Sequence, residues 1–160
     1  MGVALTYRSS SKLEPKIKEA LLAEAAALRE TRRWWCEPIG FLESPGEELL
    51  GFTKIFNSGY SDSSGRLIQV DNADDFLMAW NDCRVISEIL AEWSKRFAMG
   101  WSLLLEEQPI GEITSTGEFS RELQATLADL LKMARAPTNE EARTRLVAEI
   151  DEKYASRRGV

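Results

Sequence analysis

The chain has 160 residues, 44% apolar and 29% charged, the proportions of one globular domain with a single core. It carries 20 basic and 26 acidic residues, a formal net charge of -6, and no histidine, which excludes Ser-His-Asp and Cys-His catalysis and imidazole metal sites within the chain. Two cysteines without CxxC spacing exclude a disulfide scaffold and a Cys-rich zinc module.

Residues 1–11 lack a basic stretch followed by a long apolar run, so no signal peptide is expected there. No apolar run approaches the ~18 residues that suggest a spanning helix. The expected location is cytoplasmic, with Cys36 and Cys83 as buried, reduced thiols.

Val3, Leu5 and Tyr7 alternate with Ala4, Thr6 and Arg8, the period of a strand. Pro15 suits a first helical turn, and Ile17, Leu21, Ala25 and Leu28 recur at three to four residues, predicting a helix over 14–31. Residues 33–42 read as a strand, with Pro38 placing it at an edge or bulge. After the turn Ser44-Pro45-Gly46, residues 49–56 complete a hairpin, Leu50, Phe52 and Phe56 facing opposite to Thr53 and Ile55. Residues 57–75 read as loop with a short strand near 66–70.

Phe76, Trp80, Cys83, Leu90, Trp93 and Phe97 then define a long helix over 75–98, closed by Gly100. At this spacing Trp80, Trp93 and Phe97 are core residues rather than a ligand box. Trp101, Leu103 and Leu105 predict the last strand, on which Glu106 and Glu107 would face opposite ways. Gly111 and Gly117 bracket a turn entering a helix that begins near Phe119 and stops before Pro137. A capping box, Thr138 to Glu141, opens a final helix.

The order β-α-β-β-α-β-α-α predicts an α+β fold: a four-stranded antiparallel sheet of split βαβ (ferredoxin-like) type with two added C-terminal helices. Residues 1–160 form one domain, 1–108 the sheet-and-helix core and 118–158 the helix pair. Adjacent Trp34 and Trp35 on a strand must face opposite ways, so one needs cover on the second face of the sheet. The C-terminal helices, a second copy of the chain or a ligand could supply it.

Charge is unevenly placed. Residues 37–82 hold nine carboxylates against Lys54 and Arg66, a net -7, whereas the rest of the chain carries +1. Such a field repels phosphates and attracts basic partners. Asp71, Asp74 and Asp75, at the start of the long helix, suit N-terminal capping and the helix dipole. With Asp62 they could supply oxygens to a divalent ion, but the spacing departs from a calcium loop and no metal is expected. Residues 50–57 keep only Gly51 and Phe52 of the [KR]-G-[FY]-[GA]-[FY]-V-x-[FY] RNA-binding signature, and no phosphate-binding glycine loop occurs. No nucleic-acid partner, cofactor or membrane association is expected.

Function is read from what remains. The expectation is a non-catalytic protein-binding module, of inhibitor or immunity type, docking a basic protein through Glu43, Glu47, Glu48, Asp62, Asp71, Asp74 and Asp75. The alternatives are a carboxylate-based enzyme or small-molecule binder with a cleft between the sheet and the C-terminal helices, and a structural homodimer joined through the sheet face carrying Trp34 or Trp35.

Overall fold

The computed structural model describes residues 3–10, 12–31, 37–42, 48–56, 59–61, 67–69 and 72–134. Strand β1 is Val3–Ser9 and helix α1 Pro15–Thr31. Strand β2 is Leu50–Phe56, and β3 (Gly59–Ser61) pairs with β4 (Leu67–Gln69) as a separate ribbon. Helix α2 spans Asn72–Phe97, β5 Trp101–Leu105, β6 Gln108–Ile113 and α3 Arg121–Ala134. The predicted helix at 138–156, and Cys36, Trp34 and Trp35, lie outside the described residues.

The fold is α+β with a four-stranded, fully antiparallel sheet and three described helices. Its order, β2-β1-β5-β6, is not the split βαβ order. In that arrangement another strand separates the first strand from the one reached through the first helix. Here β2 is hydrogen-bonded directly to β1, Thr6 opposite Phe52. The cause is a different choice of fourth strand. Residues 37–42 contribute only a bridge, Phe41 to Gly51, on the outer side of β2. The fourth strand is instead 108–113, returned onto β5 by a two-residue turn.

That turn is Glu106-Glu107, with φ of 49° and 66°, so these residues do not lie on a strand as expected. Successive positive φ values fit a tight hairpin turn whose twist matches its strands, normally made by Asn-Gly. The glutamates are held there by β1: Glu106 N–H donates to the Ala4 carbonyl, and its Oε1 accepts the Ala4 N–H. Helix α2 likewise ends differently from expectation. Ala98, at φ 53°, takes the left-handed position assigned to Gly100. Gly100 serves close approach, since a Cβ there would lie 2.7 Å from the Ile113 carbonyl oxygen.

Alternation divides the sheet. Leu5, Tyr7, Thr53, Ile55, Trp101, Leu103 and Ile113 are buried on the face against which α2 and α3 pack. Tyr7, Phe41, Trp93 and Trp101 meet there with ring centroids 5.7–6.5 Å apart, the spacing of favourable aromatic pairs. Trp80 and Phe97 are partly buried against this core, beneath Arg84 and Arg96 respectively. Cys83 is buried as expected, and burial, with Asp82 beside it, pushes its thiol well above the usual range.

Two polar contacts tie the layers together. Glu24 on α1 accepts the indole N–H of Trp93 at 2.6 Å and pairs with both terminal nitrogens of Arg96 on α2. The Arg96 hydrogen bond holds the Glu24 carboxyl below its ordinary value. Its stabilisation is therefore complete above the unfolded pKa, about 4.3, and is lost as pH falls through the lower folded value. Glu24→Ala, which strands the Trp93 N–H, is expected to cost roughly 1–2 kcal/mol in denaturant melts. Glu24→Gln should cost less and flatten the acid limb of the stability profile.

The other contact secures residues 37–42. Tyr7 Oη accepts the Gly40 N–H at 2.9 Å and bonds Thr53 Oγ1 at 3.0 Å, and Thr53 donates to the Pro38 carbonyl. Burial raises the Tyr7 phenol to about 12. A raised pKa means stability present below the unfolded value, about 10, and lost as pH climbs through 12. Ultraviolet titration should show one tyrosine ionising late, and Tyr7→Phe should remove that phase.

Candidate functional site

Both edges of the sheet are closed. Outside β2, Leu42 N–H donates to the Leu50 carbonyl, Phe52 N–H to the Gly40 carbonyl, and Lys54 N–H to Glu37 Oε2. Outside β6, Pro109 has no donor, and Glu112 exchanges both backbone bonds with Ser120: its N–H donates to Ser120 Oγ and its carbonyl accepts Ser120 N–H. Ser120 also caps α3 by accepting the Leu123 N–H. Edge strands with unpaired groups invite another chain. At both edges the groups named here are already paired within the chain.

The described parts of the acidic segment include residues 37–42, strand β2 at the sheet edge, the β3–β4 ribbon and the first half of α2. Glu48 is exposed beside Arg8 at 3.9 Å, a loose pair. Asp74 and Asp75 fall within the first turn of α2, because that helix starts at Asn72 rather than near residue 75. Glu43, Glu47, Asp62 and Asp71 lie outside the described residues. Two of the nine acids are spent inside the fold: Asp82 is only 1% exposed, and Glu37 holds the Lys54 N–H.

The second feature is the second face of the sheet, expected from Trp34 and Trp35 but formed, among the described residues, by others. On the sheet face opposite α2 and α3, the register aligns Phe52, Thr6, Leu104 and Pro109 in one row across the four strands. Leu50, Arg8, Ser102 and Glu112 form the next row. Phe52 is 41% exposed, and Leu42, which continues the second row beside Leu50, is 52% exposed. Period-two alternation put Phe52 opposite Thr53. What sequence lacked was the partner strand β6, because Pro109 and Gly111 interrupt its apolar pattern.

Beyond β5, Ser102, Leu104, Pro109, Glu112, Ser120 and Glu122 line an open concavity of about 430 Å³. Its two carboxylates, Glu112 and Glu122, are exposed, and their side chains make no ion pair among the described residues. Among the described residues, this hollow at the start of α3 lies nearest to the cleft expected between the sheet and the C-terminal helices, the second of which lies outside them. Among the described residues no group of three or more His, Cys, Asp or Glu is placed to hold a metal ion. No described helix is long and apolar enough to cross a membrane.

No protein-family model, curated protein or solved structure matches this chain.

Proposed function

We propose that the chain is a small, cytoplasmic, non-catalytic binding module, of inhibitor or immunity type, that docks a basic protein through its acidic side. The observation that carries this reading is the charge partition: -7 over 37–82 against +1 elsewhere. What supports it in the fold is the position of β2, the part of that segment in the four-stranded sheet, at the edge opposite β6. Closed sheet edges favour contact through side chains. Long-range attraction of this kind speeds encounter and weakens with salt, the Debye length shrinking from about 10 Å at 0.1 M to 3 Å at 1 M.

The test is affinity capture from host lysate at low and high salt. Wild type is run beside Asp71→Asn/Asp74→Asn/Asp75→Asn, and retained proteins are identified by mass spectrometry. The expected result is one basic protein retained at low salt, released at high salt and lost with the triple variant. Identical retention by both forms would overturn the reading.

A further inference from the structure

From the open sheet face, independently of the acidic side, we infer a second interaction: it is a self-association surface, and its occupant is another copy of this chain. Three rows of side chains carry the inference, because each is complementary to itself when the sheet is turned about an axis running along the strands between β1 and β5. Such a rotation keeps each row at its height and lays β2 of one copy over β6 of the other, and β1 over β5. Two-fold contacts of this kind use one patch on both subunits.

In the first row, the exposed ring of Phe52 on β2 meets Pro109 and Leu104, which form the apolar floor of the hollow on β5 and β6. In the second, Leu50 lies over Glu112 and Arg8 over Ser102, so the guanidinium on β1 sits diagonally beside a carboxylate that makes no ion pair among the described residues. In the third, Lys54, opposite Ala4, faces the Glu106-Glu107 turn bonded to the other side of Ala4. Arg8 and Lys54 lie on one half of the face and Glu106, Glu107 and Glu112 on the other. Glu37 and Glu48 sit at the outer border of the first half; Glu37 holds a backbone N–H and Glu48 touches Arg8. The arrangement differs from a merely solvated face in pairing the exposed ring of Phe52 with the hollow on its other half.

The size of the face is that of a small interface. Five strand positions, counting 40–42, at roughly 4.8 Å spacing and about six residues of length give a patch of about 24 by 20 Å. Two copies would then bury about 1,000 Å², the lower bound for a specific interface. A reversible dimer with a dissociation constant in the range of about 1–100 μM is therefore expected.

Sedimentation equilibrium of the full chain, from about 1 to 500 μM, tests the inference. Wild type should dimerise reversibly. Phe52→Lys should weaken the dimer at least about tenfold, equivalent to about 1.4 kcal/mol, with an unchanged circular dichroism spectrum because the ring is already exposed. Arg8→Glu and Glu112→Arg should each dimerise poorly alone. Mixed together they should form a heterodimer, since the reversed charges again oppose one another. A wild-type monomer throughout the range would overturn the inference. So would a dimer indifferent to Phe52→Lys and to the charge reversals, and so would a monomer whose Phe52 face is occupied by a different protein captured in the lysate experiment.

Discussion

Gly51→Ala should destabilise the protein by about 3 kcal/mol or more, the upper range for overpacking a filled core. At roughly 2–4 °C per kcal/mol for a chain of this length, thermal melting should fall by around 10 °C. Gly51 lies directly across from Tyr7, whose ring covers it. A Cβ at position 51 would stand 1.8 Å from Tyr7 Cε2 and 2.4 Å from Cδ2, inside any permitted contact. Tyr7 cannot swing aside. It is fully buried among Phe41 and Trp101, and its hydroxyl is fixed by Gly40 and Thr53. The check is a double-mutant cycle. Adding Gly51→Ala to Tyr7→Leu, where the offending ring is absent, should cost much less than adding it to wild type. Additive effects would contradict the clash.

Gly111→Ala should have a comparable effect, about 3 kcal/mol by chemical denaturation, from two causes acting together. The residue adopts φ 137°, a region side chains rarely enter. An added Cβ would also lie 2.6 Å from the Leu123 backbone nitrogen and 2.5 Å from Ser120 Oγ. Relief requires moving the start of α3 away from β6. That movement breaks the Glu112–Ser120 exchange and exposes the β6 edge, so this variant should also aggregate, whereas Gly51→Ala should lose stability without that tendency. Light scattering during refolding distinguishes the two.

These sites show what was legible in the sequence. Strong periodicity gave β1, α1, α2 and β5 within a few residues, and the apolar stripe of α2 correctly marked Trp93 and Cys83 as core. Topology was misread at two places where local pattern and tertiary context disagree. Trp34 to Leu42 is rich in strand-forming residues, yet its described part makes only a bridge, pinned by Tyr7 and Thr53 through contacts 15 to 33 residues away. Residues 108–113 contain Pro109 and Gly111, poor strand formers, yet pair along β5 across a bulge between Leu103 and Leu104. Two glutamates in a left-handed turn gave no turn signal, because their stabilisation comes from Ala4, more than a hundred residues earlier.

The acidic segment was legible as a run of charge, and the fold shows which acids that charge overstates. Asp82 enters the core and Glu37 closes an edge, while Glu48 stays exposed. A second face needing cover was legible from Trp34 and Trp35, but its rows could not be read before β6 was known, because they exist only once four strands are in register.

The central claim is that docking is electrostatic and confined to the acidic side. The most direct measurement is the dissociation constant of the captured basic partner, followed over salt concentration by titration calorimetry. Two variants of equal charge change are compared: Glu48→Gln/Asp74→Asn/Asp75→Asn on the acidic side and Glu112→Gln/Glu118→Gln/Glu122→Gln beside β6. The account predicts affinity loss of at least about tenfold and a flattened salt dependence for the first, with near-wild-type binding for the second. Equal losses from both variants, or a larger loss from the β6 side, would contradict it.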